Sequence, residues 1–309
     1  MLTRRTAISL LAGGLALAGA MVPASAQTAE KLKVVATFSI LGDLVRNVGG
    51  ERVEVVTLVG PNGDGHVYSP TPADGRRLTE AKVVFANGLK FEGWIDRLIK
   101  SSGTKAAKVE AAKGVEPLEG EEDDHGHGHD HGHGAVDPHA WQSIGNAKKY
   151  VANILDALIA ADPEAKAAYE ANAAAYLKQL DELEAEVKSL VSRIPADRRR
   201  IITSHDAFRY FEEAYGIDFI SPQGVSTDAE ASAKDVAKII RQIKREKIGA
   251  VFVENVSDAR LMERIAQETG AKIGPQLYSD ALSEPNGPAG TYIDMMRHNI
   301  RAFSTALSS

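Results

Sequence analysis

There is no cysteine among the 309 residues. That excludes a disulfide framework, a thiolate metal site and a cysteine nucleophile, and it leaves nothing to carry a lipid at an N-terminal processing junction. Aromatic residues make up only 6% of the chain, which argues against stacking surfaces for carbohydrate or single-stranded nucleic acid. A surplus of positive charge is also missing, with 36 Lys and Arg against 42 Asp and Glu. Phosphate backbones need a basic surface, so nucleic acid is excluded as a partner, whereas an acidic chain suits a cationic ligand.

What is present begins with an export signature. Arg4 and Arg5 precede an almost uncharged run of Ala, Leu and Gly over 7–21, and Ala24-Ser25-Ala26 is a small-residue cleavage pattern. The run is short for a membrane anchor and ends in that pattern, so the mature chain is expected to start near Gln27, free in the periplasm. The paired arginines leave the general secretory and twin-arginine routes both open. The signal holds two of the basic residues and none of the acidic ones, so the mature net charge becomes −8.

Hydrophobic content of 44% and charged content of 25% are those of a globular protein long enough for two domains. Apolar runs at 33–37 (KVVAT), 53–59 (VEVVTLV) and 82–86 (KVVFA) read as buried strands. Helical stretches at 39–48, 73–81 and 91–101 alternate with them. A helix over 143–160 precedes a longer one, for which Asp162 is the expected N-cap and Pro163 the first residue. Tyr169, Ala173, Tyr176, Leu180, Leu183, Val187 and Leu190 form its apolar stripe, and Pro195 ends it. Strands at 200–203 and 250–253 then alternate with helices at 231–246, 258–269 and 292–306. The pattern predicts an α/β protein with two βα lobes, each with a mainly parallel sheet, joined by a long rigid helix. The expected division is a signal over 1–26, a first lobe over 27–142, a helical region over 143–194 and a second lobe over 195–309. A helical hairpin inserted between the lobes is the alternative to a strut.

Nine histidines fall into three groups. His125, His127, His129, His131 and His133 alternate with Gly and Asp beside the acidic run 121–124, inside a segment (114–135) without apolar periodicity. Imidazole suits zinc, copper and nickel, and flanking carboxylates concentrate cations, so this loop is read as an auxiliary metal-binding segment; a merely solvated linker is the plainer alternative. His66 lies past the strand 53–59 and His205 directly past 200–203, the carboxyl ends where ligand sites of α/β sheets form. His139 stands in Asp137-Pro138-His139, where the loop rejoins the fold. Asp137 and Asp206 adjoin candidate ligands and are candidates to orient an imidazole. His298, in the closing helix, is assigned to surface electrostatics.

Several ordered motifs reinforce this: His66 with Tyr68-Ser69-Pro70-Thr71-Pro72, the segment Asn87-Gly88-Leu89-Lys90-Phe91-Glu92, Asp137-Pro138-His139, Asp162-Pro163, Ser204-His205-Asp206-Ala207-Phe208 and Tyr278-Ser279-Asp280. In order and spacing the chain resembles, over residues 32–306, the zinc- and manganese-binding solute-binding proteins of metal ABC importers, the ZnuA/TroA-like family. The resemblance implies metal ligands at His66, His139 and His205 and a carboxylate ligand at Asp280, gathered in the cleft between the lobes. It also implies zinc: manganese-selective members tend to carry glutamate where this chain has His205, and zinc-binding members tend to carry an acidic histidine loop. Three imidazoles and a carboxylate suit tetrahedral Zn2+ on chemical grounds too.

The expected function is periplasmic capture of Zn2+ and its delivery to a membrane ABC permease by a monomer with no membrane anchor of its own. A metallochaperone is a further candidate partner. A zinc buffer or chaperone working through the loop, and a manganese-binding homologue, are the alternatives. A zinc hydrolase is disfavoured because no H-E-x-x-H pattern occurs, so no enzymatic activity is expected. Binding is expected to weaken as pH falls through about 6.5, where free imidazole protonates.

Overall fold

The computed structural model describes residues 30–119 and 136–307, and it contains two parallel four-stranded sheets with the same strand order. In the first, β1 (Leu32–Phe38), β2 (Val53–Val59), β3 (Val83–Ala86) and β4 (Ala107–Glu110) lie in the order β2-β1-β3-β4. In the second, β5 (Arg200–Ile202), β6 (Asp218–Ile220), β7 (Ala250–Val251) and β8 (Lys272–Ile273) repeat it as β6-β5-β7-β8. In each sheet the order reverses between the two central strands, and a crevice opens there at the carboxyl ends. The histidine-bearing loops leave those ends.

Strands β4, β6 and β8 were not legible in the sequence. Each lies at a sheet edge and carries charged residues, so it lacks the continuous apolar run of β1 or β3. The helix expected from residue 91 starts only at α3 (Ile95–Ser102). Gly88, Leu89 and Lys90 are all left-handed (φ of 87, 51 and 64°), which holds the preceding segment in a loop.

The helical region is an antiparallel pair. α4 (Ile144–Ala161) turns through a single 3-10 turn, Pro163–Ala165, into α5 (Lys166–Ser192), and Lys148 near the start of α4 bonds Glu184 late in α5 at 2.6 Å. The strut and hairpin readings thus describe one unit, since α5 also carries the chain into the second lobe. Its 27 residues span about 40 Å. Tyr169, Ala173, Tyr176, Leu180, Leu183 and Val187 are buried as the periodicity required, and Val191 replaces Leu190 at the end of the stripe. α5 packs on α1 (Ser39–Gly49) of the first lobe and on α6 (Arg209–Tyr215) and α9 (Tyr292–Leu307) of the second. Asp162 does not cap the long helix; its carboxylate accepts from Arg52 at 3.0 Å and from the Tyr169 hydroxyl at 3.1 Å.

One apolar cluster runs from Val34 and Phe38 through Trp141, Leu180 and Phe208 to Phe303, so both lobes share a core. A smaller cluster of Ile202, Ile239, Val251 and Ile265 lies within the second sheet and its helices. A shared core of this kind resists a wide hinge motion, because separating the lobes would expose apolar surface to water. Among the described residues no helix is long and apolar enough to cross a membrane. The expected export signal and His125, His127, His129, His131 and His133 lie outside the described residues.

Candidate metal centre

His66, His139, His205 and Asp280 come together, each from a different segment. His66 sits in the loop after β2, and His205 follows β5. His139 precedes the 3-10 turn Ala140–Gln142, and Asp280 follows the backbone bridge of Glu254 with Leu277. The Nε2 atoms of His66 and His139 are 3.2 Å apart, and those of His139 and His205 3.4 Å. Asp280 Oδ2 lies 3.3 Å from His66 Nε2 and 3.2 Å from His205 Nε2, and Oδ1 lies 3.5 Å from His139 Nε2. Ligands at the usual 2.0–2.1 Å from a tetrahedral ion stand roughly 3.3–3.4 Å from one another. The printed separations of neighbouring donors fall close to that value, and all four residues offer ligand atoms within 4.8 Å of one another.

Burial makes this arrangement costly without a cation. The side chains of His139, His205 and Asp280 are fully buried, and neither carboxylate oxygen of Asp280 has a hydrogen-bond partner. An ionised carboxylate stripped of water needs positive charge nearby. Burial alone would raise Asp280, but the imidazoles of His205 and His139 hold its carboxyl well below the usual range. Burial would lower His139; the charge of Asp280 and the contact with Asp137 outweigh it and raise the imidazole to about 9. His205 is likewise raised well above 6.5, against its burial, by Glu254 and Asp280. Both shifts run upward from the ordinary value near 6.5.

Carboxylates set the ring orientations. Asp137 Oδ1 accepts the His139 backbone N–H at 2.8 Å and lies 2.7 Å from Nδ1, so the candidate role of Asp137 agrees with its position. Asp206 does not take that role for His205. Its carboxylate lies 4.0 Å from Arg209, and burial and the Asp137 charge raise it to about 6. Glu254, directly past the second sheet's central strand β7, takes the place. Its Oε1 accepts the backbone N–H of Ser204 at 2.7 Å and of His205 at 3.0 Å, and its Oε2 lies 2.6 Å from His205 Nδ1. Sequence reasoning missed it, although a glutamate after the apolar run 250–253 occupies the same kind of strand end as His205. With a carboxylate oxygen against Nδ1 in both rings, Nε2 faces the other donors.

Further bonds fix the segments. Asn87 donates to Pro138 O at 2.9 Å and accepts from Tyr150 at 2.6 Å, while Glu92 holds its backbone N–H. Trp141 and Gln142 both donate to Ser279 O, at 2.9 and 2.8 Å, tying the His139 segment to the Asp280 segment. Gly65 is required beside His66, because a Cβ there would stand 2.6 Å from the Phe91 ring. His298 bonds Gln276 O on an exposed face and takes no part in the cluster, as assigned.

Two like sheets, a rigid connecting helix and a buried nitrogen-rich cluster between them define a binding protein for a cation. The chain belongs to the family described as zinc-uptake complex component A, periplasmic, whose profile matches residues 34–306. It is 36% identical over 301 residues to the manganese-binding lipoprotein MntA of Halalkalibacterium halodurans, covering 97% of this chain and 96% of that one. Among solved structures it resembles the periplasmic zinc binding protein TroA from Treponema pallidum (TM-score 0.81, 29% identity, 90% and 99% coverage). It also resembles the Mn-bound periplasmic metal binding protein from Candidatus Liberibacter asiaticus (TM-score 0.80, 29% identity, 90% and 100% coverage). The protein is a metal-binding, substrate-binding component of an ABC transporter.

Proposed function

We propose that the protein captures Zn2+ through His66, His139, His205 and Asp280 and delivers it to the permease of an ABC importer. The observation that carries this reading is the donor set: three Nε2 atoms and a partnerless buried carboxylate, spaced 3.2–3.5 Å apart along the five edges described. Imidazole-rich tetrahedral sites suit zinc over harder ions. Four protein ligands also leave no open position for a reactive water, which favours a carrier over a hydrolase.

A manganese reading has its own support. Both Asp280 oxygens face the histidines without other partners, so the carboxylate can bind through two oxygens and raise the coordination number. The relative MntA is also named for manganese. That relative is called a lipoprotein, whereas this chain has no cysteine to acylate, which supports a protein free in the periplasm. Calorimetric titration with Zn2+ and Mn2+, beside elemental analysis of the purified protein, decides between the metals. One tight zinc site is expected; stoichiometric manganese binding with zinc excluded would overturn the zinc reading.

A further inference from the structure

Each of the three histidines has its backbone N–H held by a carboxylate, but the third carboxylate is used differently. Asp137 and Glu254 turn back on Nδ1 of the histidine they hold. Asp64 does not. Its Oδ1 accepts from the His66 N–H at 2.8 Å, while Oδ2 accepts from the Thr227 hydroxyl at 2.5 Å. Thr227 lies in the second lobe, between β6 and the helix Ala233–Glu246. The root of its segment runs beside the metal centre: Gln223 bridges His205, and the Asp206 N–H donates to Gly224 O at 3.2 Å. A continuous path therefore joins His66 to His205 through Asp64, Thr227 and Gln223.

His66 is the member of the cluster with a way out. Its side chain is 5% exposed, whereas those of the other three are at 0%. Within the first lobe its segment is pinned, since Trp94 donates to Gly65 O at 2.8 Å and Phe91 packs edge-on against the imidazole. Departure of His66 from His205 and Asp280 must then break what ties its loop to the second lobe. Asn62 supplies one tie at the start of the loop, donating to Leu282 O at 2.9 Å and accepting from Asn255 at 3.1 Å. Thr227–Asp64 supplies another, and among the described residues it is the tie that reaches the residue holding the His66 backbone. A hollow of about 490 Å³, lined by Asp64, Gln223, Thr227, Glu230, Asp258 and Arg264 among others, adjoins it. Breaking this bond needs no repacking of the core.

We infer that the Thr227–Asp64 hydrogen bond is a cross-lobe latch: Asp64 and Thr227 are positioning residues that hold His66 on the metal and slow its release. The inference rests on the proposed reading of His66 and His205 as ligands. Thr227→Val removes the hydroxyl and keeps the shape. Protein loaded with Zn2+ is mixed with excess chromogenic chelator, and release is followed by stopped flow. Because the lost bond is to a carboxylate, T227V and Thr227→Ala should release zinc about tenfold faster, and Thr227→Ser should restore the wild-type rate. Release by T227V and T227A within about twofold of wild type would overturn the latch, and so would T227S releasing as fast as T227V. A merely structural Thr227 would lower the melting temperature of the metal-free protein and leave release unchanged. Failure of the underlying reading looks different: in that case His205→Ala leaves tight zinc binding intact.

Discussion

Lowering the pH should release the metal well above the range in which free histidine titrates. In the metal-free protein, His139 is raised to about 9 and His205 is also raised, while Asp280 is held ionised. Three buried carboxylates, Asp137, Glu254 and Asp280, surround these two imidazoles. A dication that displaces the protons of these two imidazoles leaves the net charge of the cluster unchanged. In a cavity stripped of water this exchange avoids the penalty of adding net charge. At pH 7, about two units below the His139 value, displacing its proton weakens binding roughly a hundredfold, or about 3 kcal/mol. Two displaced protons give a slope of about a hundredfold in affinity per pH unit near neutrality.

Stability has a fixed sign as well. Imidazole pKa values raised on folding stabilise the metal-free protein fully below about 6.5, and that contribution is lost as pH rises through about 9. The assay is chelator competition at pH 6.5, 7.5 and 8.5 at constant ionic strength. Calorimetry at pH 7.5 in buffers of different ionisation enthalpy counts the protons released, with about two expected. An affinity flat above pH 7, with no proton released at pH 7.5, would refute the reasoning.

Other outcomes follow from particular contacts. Glu254→Gln should reduce zinc affinity about 10–100-fold while the protein stays folded, measured by competition titration beside circular dichroism. Leu183→Ala, in the fully buried stripe of α5, should cost about 2–5 kcal/mol in urea unfolding and retain one metal per chain. Deleting residues 121–133 should remove weak sites and keep one tight site by calorimetry; loss of the tight site would favour a buffer working through the loop.

The alternation of strands and helices, the α5 stripe and the motifs around His66, His139 and His205 were legible from the sequence because each is local. A parallel strand buried on both faces reads as an apolar run, and a ligand loop carries its own glycines and prolines. Asp280 was legible only through family resemblance, since a lone aspartate before a helix or turn has no local mark. What tertiary structure decided is nonlocal. Edge strands β4, β6 and β8 exist because a neighbour pairs with them, not because their own residues demand it. Asp206 adjoins His205 in the chain, yet its carboxylate lies beside Arg209 while Glu254 stands against Nδ1 of the ring. Glu254 holds that ring from 49 positions away because β5 and β7 are neighbours at the point where the strand order reverses. The residues able to bind a cation are written in the chain; which carboxylate aims each imidazole is decided by the pairing of strands.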